Sequence, residues 1–414
     1  MKVDYITYAI PFFLLLIAIE AIISKVKKLG YYTYHDSVND LSAGIFQQVV
    51  GVFSKFILAG LYVYIYENYR FFTISGTSLI AWIACFLAVD MAYYWFHRAA
   101  HESAVFWGSH LPHHQSEEYN LTVALRQGAI QGYFSTVFYF PLAFAGFPPV
   151  MFITLSQFNT IYQFWIHTRA VGKLGFLETF LNTPSHHRVH HGKNPMYIDK
   201  NYAGTLIIWD KMFGSFKEET EEVVYGTIKP LASWNPVRAQ FQYFGELFQK
   251  SLKAPRFVDK FLLWFKGPGW LPRGMNYDEF MADPAYSEEG MKKGIQAKYP
   301  PKYKTPIPKA VNAYTVVQFM TILIFALGFL ATEAMMSLTM RLMCGAFVLV
   351  TLTAIGGIFE NRRWAQILEI HRLFFAAIAI LVNFEQGIWF ALIPIAMAVF
   401  FYSLVFRAPQ TAQT

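Results

Sequence analysis

The sequence predicts an all-α fold, a multi-pass bundle of about nine transmembrane helices with a histidine-rich site at one end. Its 414 residues are 55% hydrophobic and only 15% charged, and the mean hydropathy is +0.31. Soluble domains carry about 25% charged residues, so this balance is typical of an integral membrane protein. The apolar residues gather in stretches of about 20, the length of a helix that crosses a bilayer. The sequence contains no basic low-complexity tract, and nucleic acid is not expected as a partner.

The predicted membrane segments follow one another along the chain. They cover residues 6–24, 43–65, 77–96, 131–147, 149–166, 312–331, 335–357, 365–382 and 387–406. Pro148 and Pro149 separate the fourth segment from the fifth, and both of these segments are short. Because a proline pair breaks a helix, we expect a helical hairpin here that need not cross the membrane fully.

Basic residues predict the orientation of the segments. They follow the first, seventh and ninth segments, at Lys25, Lys27, Lys28, Arg362, Arg363 and Arg407. Since cytosolic loops carry an excess of lysine and arginine, the amino terminus is expected outside and the carboxyl terminus in the cytosol. Every histidine cluster then lies on the cytosolic face of the membrane.

The chain divides into four predicted regions. They are N-terminal transmembrane helices at 1–76, a histidine-rich catalytic region at 77–216, a polar segment at 217–311 and C-terminal transmembrane helices at 312–414. Within the polar segment, phenylalanines recur at helical spacing beside lysines, as at 241, 244 and 248. Such an amphipathic stretch either lies in the plane of the lipid headgroups or packs as a cap on the catalytic region, and both alternatives stay open.

Clustered histidines are the strongest functional signal in the sequence. Ten of the twelve histidines lie between His97 and His191, next to apolar segments. Spacings of three and four place imidazoles on one face of a helix, about 5–6 Å apart at Cβ. Imidazole is a good ligand for first-row metals, so the pattern predicts a metal centre, with two metals. The candidate ligands are His97, His101, His110, His113, His114, His187, His190 and His191, with His167 and His186 as further candidates.

Several polar residues near these clusters are candidates for supporting roles. Asp90 lies in the third segment, seven residues before His97, and a carboxylate in hydrocarbon needs a partner. We expect it to accept the second ring N–H of a ligand histidine. Gln163 precedes His167 by one helical turn. Glu102, directly after His101, either contacts a polar cofactor or is solvated.

Other functional classes fit the sequence poorly. The clusters lack the His-Glu-x-x-His pattern of zinc proteases, and the sequence shows neither a phosphate-binding glycine loop nor a nucleophile arrangement. A metal transporter would carry ionisable residues near the middle of several helices, whereas these histidines gather at helix ends. Their position at the membrane surface instead suggests a lipid substrate that enters from the bilayer.

The histidine pattern resembles the eight-histidine motif of the fatty acid hydroxylase/sterol desaturase superfamily. Longer strings resemble the alkylglycerol monooxygenases within that superfamily. These strings are 119–127, 163–168, 182–192, 198–204, 206–214 and 265–270.

The resemblance implies a non-haem enzyme that uses two Fe ions, O2 and two electrons to hydroxylate one lipid C–H bond, next to the oxygen of a glyceryl ether. It also implies tetrahydrobiopterin as electron donor, associated with Glu102, and supporting roles for Asp90, Asn194 and Tyr202. The alternative within the superfamily is a sterol, fatty acyl or carotenoid hydroxylase or desaturase that draws on an electron-transfer partner. The endoplasmic reticulum and the bacterial inner membrane are both possible locations.

Overall fold

The computed structural model describes residues 5–278, 281–383 and 387–406. These residues are helical with loops and form no strand, only isolated bridges between Leu181 and Leu206 and between Gly192 and Tyr225. The predicted all-α class is therefore confirmed. By its contacts the chain divides into two compact units, one formed by 1–231 and 240–302 and the other by 232–239 and 303–414.

The helices that precede Tyr303 differ widely in length. They are α1 (Tyr5–Val26), α2 (Tyr34–Tyr69), α3 (Leu79–Glu102), α4 (Ala104–His114), α5 (Leu121–Leu125), α6 (Gln131–Ser135), α7 (Phe140–Ala145), α8 (Pro149–Trp165), α9 (Pro184–His190), α10 (Ile208–Phe213), α11 (Pro236–Lys253), α12 (Phe257–Phe265) and α13 (Glu288–Lys293). Of these, α1 and α3 are long and apolar enough to cross a membrane. Helix α2 is also long and apolar enough if its two parts, which meet at 46°, form one span.

The segments predicted at 131–147 and 149–166 are too short to be ordinary spans. The first is broken into α6, a 3-10 turn at Thr136–Tyr139 and α7. Gly146 ends α7 with φ +93°, and a Cβ there would lie 1.9 Å from the carbonyl oxygen of Phe72. At 17 residues, α8 is about 25 Å long, less than the roughly 30 Å of the hydrocarbon core. This pair fits the predicted helical hairpin.

The second unit is built from long apolar helices. They are α14 (Lys309–Thr332), α15 (Leu338–Phe359), α16 (Arg363–Asn383) and α17 (Gly387–Phe406). Within this unit the buried Glu369 accepts hydrogen bonds from Tyr314 and from Arg372, whose Nε lies 2.8 Å away. Pairing lowers the cost of a carboxylate between apolar helices and ties α14 to α16.

The number of membrane segments is lower than predicted. Among the described residues, five helices are long and apolar enough to span a bilayer, or six with the bent α2, so the nine predicted segments are not confirmed. The predicted segments that do not reach this length are the two of the hairpin and α17, whose apolar part covers only Trp389–Val405. The predicted orientation stays a prediction, and Arg407, on which it partly depends, lies outside the described residues.

The amphipathic segment packs one of its faces against the histidine-rich region. Leu247 of α11 and Leu263 of α12 form a buried cluster with Ala104 at the start of α4. Phe257, Phe261 and Phe265 are more than half exposed on the other face. The segment is therefore a cap, and its exposed phenylalanines are available to a lipid surface.

Candidate metal centre

Three short stretches of helix bring the histidine clusters together. Ser103 separates α3 from α4, so the last turns of α3, with His97 and His101, lie beside α4. The end of α4 carries the cluster from His110 to His114. The seven-residue α9 begins at Pro184, a favourable first position because its fixed φ suits a helix, and carries the last cluster.

Nine histidines form two adjacent groups in which the potential ligand atoms all lie within 4.8 Å of one another. All nine are buried, with 0–7% of their surface exposed. The five-histidine group contains His97, His101, His110, His114 and His190. The four-histidine group contains His113, His167, His187 and His191.

Hydrogen bonds fix which ring nitrogen carries the proton in both groups. Nδ1 of His97 lies 2.7 Å from the carbonyl oxygen of Tyr202, and Nδ1 of His110 lies 2.8 Å from Oε1 of Gln131. A carbonyl oxygen can only accept, so each Nδ1 donates and carries the hydrogen. The remaining Nε2 then presents a lone pair.

The four-histidine group is fixed in the same way. Nδ1 of His113 donates to the carbonyl oxygen of Arg126, and Nδ1 of His167 donates to that of Gln163, both at 2.7 Å. Burial lowers the pKa of His110 to about 3 and that of His167 to about 4. Both rings are therefore neutral near pH 7, the form in which imidazole binds metals.

In each group two of these lone pairs face one another. Nε2 of His97 lies 2.9 Å from Nε2 of His110, and Nε2 of His113 lies 3.1 Å from Nε2 of His167. With both protons committed to Nδ1, neither Nε2 can donate, and two lone pairs at this distance repel unless a cation lies between them. The buried Nε2 atoms of His101, His190 and His191 have no hydrogen-bond partner among the described residues. The donor set thus fits two metal ions, one in each group.

The structure separates the two additional histidine candidates. His167, isolated in the sequence, is central to the four-histidine group, because its Nε2 also lies 2.9 Å from Nε2 of His187. His186 lies outside both groups, with its ring 5.4 Å from that of Phe216. Adjacent residues on α9 point in different directions, and His187 takes the inward one.

Asp90 does not have the partner that the sequence suggested. Its carboxylate accepts hydrogen bonds from Asn159 Nδ2 at 2.6 Å, from the backbone N–H of Thr205 and Leu206, and from Trp209 Nε1 at 2.9 Å. These four donors take up the carboxylate instead of a ligand histidine. Asp90 therefore fixes the loop at 205–209, just after the residue whose carbonyl holds His97.

The other expected supporting residues act through their backbone or at a distance. Gln163 and Tyr202 hold His167 and His97 by their carbonyl groups, and the Tyr202 ring lies 5.4 Å from that of His101. Asn194 instead bonds the backbone at Glu222 and Val224. Glu102 pairs with Arg98 at 2.9 Å and is half exposed.

Sequence reasoning missed Arg126, a fully buried arginine. Its guanidinium donates to Asp40 at 3.2 Å, to Gln115 at 2.9 Å and to Asn39, while its carbonyl holds His113. It thereby joins α2 to the end of α4. The available signal was an arginine directly after the largely apolar stretch from Leu121 to Leu125.

A cavity of about 320 Å³ opens beside the five-histidine group. Its wall includes His101, His114 and His190, together with His191 of the other group. Trp107 and Tyr243 supply aromatic surface to the same wall. A ligand in this cavity would lie against the metal centre.

An all-α membrane protein in which neutral imidazoles converge in two adjacent groups has the site of a membrane-bound, histidine-ligated metalloenzyme. The family model "Fatty acid hydroxylase" matches residues 82–215, a range that contains all nine histidines. The part of the chain that carries the histidine groups thus matches the fatty acid hydroxylase family.

Within that class, the chain belongs to the alkylglycerol monooxygenase family. It is 42% identical to the alkylglycerol monooxygenase of Homo sapiens, over 88% of this chain and 80% of the human protein. The proteins of that name from Xenopus tropicalis and Danio rerio are 40% and 38% identical, over 88% and 89% of this chain and 80% of their own lengths. The family model "Alkylglycerol monooxygenase C-terminal domain" matches residues 311–388. No solved structure matches the chain. The resemblance indicated by the sequence motifs is confirmed.

Proposed function

We propose that this protein is a di-iron monooxygenase that cleaves the ether bond of alkylglycerols, with tetrahydrobiopterin as the source of electrons. The observation that carries the proposal is the pair of converging neutral histidine groups. Family membership supplies the reaction class, and neutral nitrogen ligands suit iron. The protein is an integral membrane protein, as a lipid substrate requires.

The reaction inserts one oxygen atom into the C–H bond next to the ether oxygen. One O2, two electrons and two protons give a hydroxylated carbon and one water. That carbon is a hemiacetal, so its C–O bond to glycerol breaks to release a fatty aldehyde and a glycerol hydroxyl. When bound, the iron ions would supply the activation of O2 that this step requires.

The protein's own residues hold the ligands in place and keep water out. The carbonyl groups of Tyr202, Arg126 and Gln163 fix the tautomer and the direction of three rings, so little reorganisation is required when metal binds. The burial of all nine histidines excludes bulk water, which would compete with the lipid for a reactive oxidant.

The position of the site supports a substrate that comes from the bilayer. The five-histidine group begins on the last turns of α3, a helix able to span the membrane. An alkyl tail alongside α3 would bring the ether carbon to the metals. We place this end of α3 on the cytosolic face because of the basic residues that predict the orientation.

Glu102 is the residue at which we place the pterin. Glu102 is accessible to a solute, but Arg98 now occupies its carboxylate. Binding of tetrahydrobiopterin at Glu102 would require this exposed pair to open, at a cost of about 0–1 kcal/mol.

The decisive experiment measures fatty aldehyde released from an alkylglycerol by membranes that contain the protein, with and without tetrahydrobiopterin. The test variant is His190→Ala, and the matched control is His186→Ala, a neighbouring histidine outside both groups. We expect pterin-dependent aldehyde from the wild type and from the control, and none from the test variant. Iron content is measured in all three.

Two outcomes would overturn the proposal. Iron-loaded wild-type protein that releases no aldehyde would point to a hydroxylase or desaturase with another substrate or donor. Activity that survives His190→Ala would show that the five-histidine group does not carry the reaction.

A further inference from the structure

Helix α12 has one buried face and one exposed face. Asp259 and Leu263 lie four positions apart and are 0% and 3% exposed. Phe257, Phe261 and Phe265 also recur every fourth position, on the opposite face, and are 75%, 55% and 66% exposed. The rings of Phe257 and Phe261 lie 5.1 Å apart. A row of neighbouring aromatic rings on a surface is typical of a face that another apolar phase covers.

The C-terminal end of α12 is fixed to the end of a helix that is able to span the membrane. The backbone N–H of Ala104, two residues after the end of α3, donates to the carbonyl oxygen of Lys266 at 2.8 Å. Oγ of Ser103 donates to the carbonyl oxygen of Trp264 at 3.5 Å. These two bonds hold α12 at the level at which α3 ends.

The length of α3 places this junction at the boundary of the bilayer. Its 24 residues extend about 36 Å, whereas the hydrocarbon core is about 30 Å thick. Because α3 is longer than the core, its end reaches the layer of the lipid headgroups. Trp95, seven residues before that end, is 40% exposed, and exposed tryptophans are typical of this boundary. The end of α12 therefore lies in the headgroup layer.

The exposed face of α12 is surrounded by an excess of positive charge. Between 250 and 266 the only acidic residue is Asp259, and the basic residues are Lys250, Lys253, Arg256, Lys260 and Lys266. Two of these, Lys250 and Arg256, have acidic partners at 3.4 Å and 2.8 Å. Lys253, Lys260 and Lys266 make no ion pair with an acidic group of residues 5–278, 281–383 or 387–406. We call these three residues the lysine triad, and it is free to bind anionic lipid groups.

The buried face of α12 connects this surface to the cavity beside the five-histidine group. Leu263 of α12 belongs to the same buried cluster as Leu247 of α11. Tyr243, one turn before Leu247, lines the cavity, and so do Pro268 and Gly269, which follow α12. The cap thus has the exposed phenylalanines on one side and the cavity wall on the other.

We propose that the exposed face of α12 binds the headgroup layer of the membrane that α3 spans, with a preference for anionic lipids. The three phenylalanines insert at the boundary with the hydrocarbon, where aromatic rings are favoured, and the lysine triad lies beside lipid phosphates. This contact holds the cap and the metal centre against the membrane. The inference depends on the cap and on α3, and not on the reaction that the metal centre catalyses.

The test measures the surroundings of residue 261 in the iron-loaded protein in lipid vesicles. A fluorescent thiol label is attached to the variant Phe261→Cys. Cys344→Ala removes one native thiol, and the other, Cys85, is 0% exposed and does not react. The matched control is Met291→Cys on α13, a solvated helix whose paired charged side chains are 64–82% exposed. Iron content shows that each variant is folded.

Two quenchers distinguish lipid from water around the label. Lipids with brominated chains quench a label in the membrane, and iodide quenches a label in water. We expect brominated lipid to quench the label at 261 severalfold more than the label at 291, and iodide to show the reverse. A repeat with Phe257→Cys, at a still more exposed position, should agree.

Three results would overturn the membrane contact. Equal quenching by brominated lipid at 261 and 291 would do so, as would quenching by iodide that is as strong at 261 as at 291. A label at 261 that neither quencher reaches would show that a second copy of the chain or a partner protein covers the face.

The lysine triad is tested by the composition of the vesicles. We expect phosphatidylserine to increase quenching by brominated lipid at 261 relative to phosphatidylcholine alone. Replacing the lysine triad with glutamine should abolish this increase, and so should 1 M salt, at which the Debye length is about 3 Å. The control replaces Lys292 and Lys293 of α13 with glutamine and should keep the increase. No dependence on phosphatidylserine, or equal losses in both variants, would refute the preference for anionic lipids.

These measurements require no turnover, so they separate the membrane contact from the proposed function. Labelled protein that shows the expected quenching but releases no aldehyde would keep the contact and refute only the ether-cleaving activity. Protein that releases aldehyde while iodide reaches the label at 261 freely would refute only the contact.

Discussion

Gln131 provides a direct test of the metal site in the five-histidine group. Its Oε1 accepts the Nδ1–H of His110 at 2.8 Å, whereas four other histidines of the two groups donate Nδ1–H to backbone carbonyls. Gln131→Leu therefore removes one acceptor and leaves the backbone in place. His110 is only 2% exposed, so water does not readily replace the lost oxygen.

The expected magnitude follows from that burial. An unsatisfied buried N–H costs about 1–3 kcal/mol. The ring can avoid this cost by moving its proton to Nε2, but that atom faces Nε2 of His97 and of His114 and would then no longer bind metal. Either route weakens metal binding in the five-histidine group, by about 10–100-fold for a lost supporting contact.

The assay is a chelator titration of the purified protein, with bound iron measured at each step. Gln163→Leu is the matched control, because Gln163 holds His167 by its backbone carbonyl, and its side chain donates to Asn159 and not to a histidine. We expect Gln131→Leu to release about half of the iron at lower chelator concentration and the control to resemble the wild type. Equal retention in both variants, or equal loss, would refute the assignment of fixed tautomers.

Two further predictions concern stability. In metal-free protein, burial holds the pKa of His167 at about 4 against 6.5 when unfolded, so below pH 6.5 the unfolded chain binds the extra proton. The stability that depends on a neutral His167 is fully present above pH 6.5 and decreases by about 2 kcal/mol by pH 5, so the melting temperature should fall between those pH values. An unchanged melting temperature would contradict the buried, neutral ring. Asp90→Leu should destabilise the fold by about 1 kcal/mol or more for each N–H group that it leaves without an acceptor. These are the N–H groups of Thr205, Leu206 and Trp209. Asp90→Asn, which keeps one acceptor, should melt between that variant and the wild type.

The histidine clusters could be found from the sequence because helical spacing is local. Residues three and four apart share a helix face whatever surrounds the helix, and α4 and α9 are built on such spacings. His167 carries no such pattern, since its partners His113 and His187 are 54 and 20 residues away. Its place at the centre of a group depends on how α8 ends beside α4 and α9.

Contacts between distant parts of the chain explain the error about Asp90, and breaks between short helices explain the error about the membrane segments. The sequence correctly indicated that a carboxylate in α3 needs partners, but three of its four donors come from the loop at 205–209, more than 100 residues away. Hydropathy likewise detected the apolar stretch at 131–147. It could not show that this stretch is divided into short helices with bends between them.

Backbone carbonyl groups hold several of the histidine rings of this centre in place. Four of the five assigned Nδ1 acceptors are backbone carbonyls, which every residue type possesses. The directions of these rings therefore depend on the path of the chain, and hence on groups that fix that path, such as Asp90 and Arg126. The five-histidine group alone has a side-chain acceptor among these contacts, and it also borders the cavity. Single substitutions should therefore change the metal affinity of this group with the least disturbance to the fold.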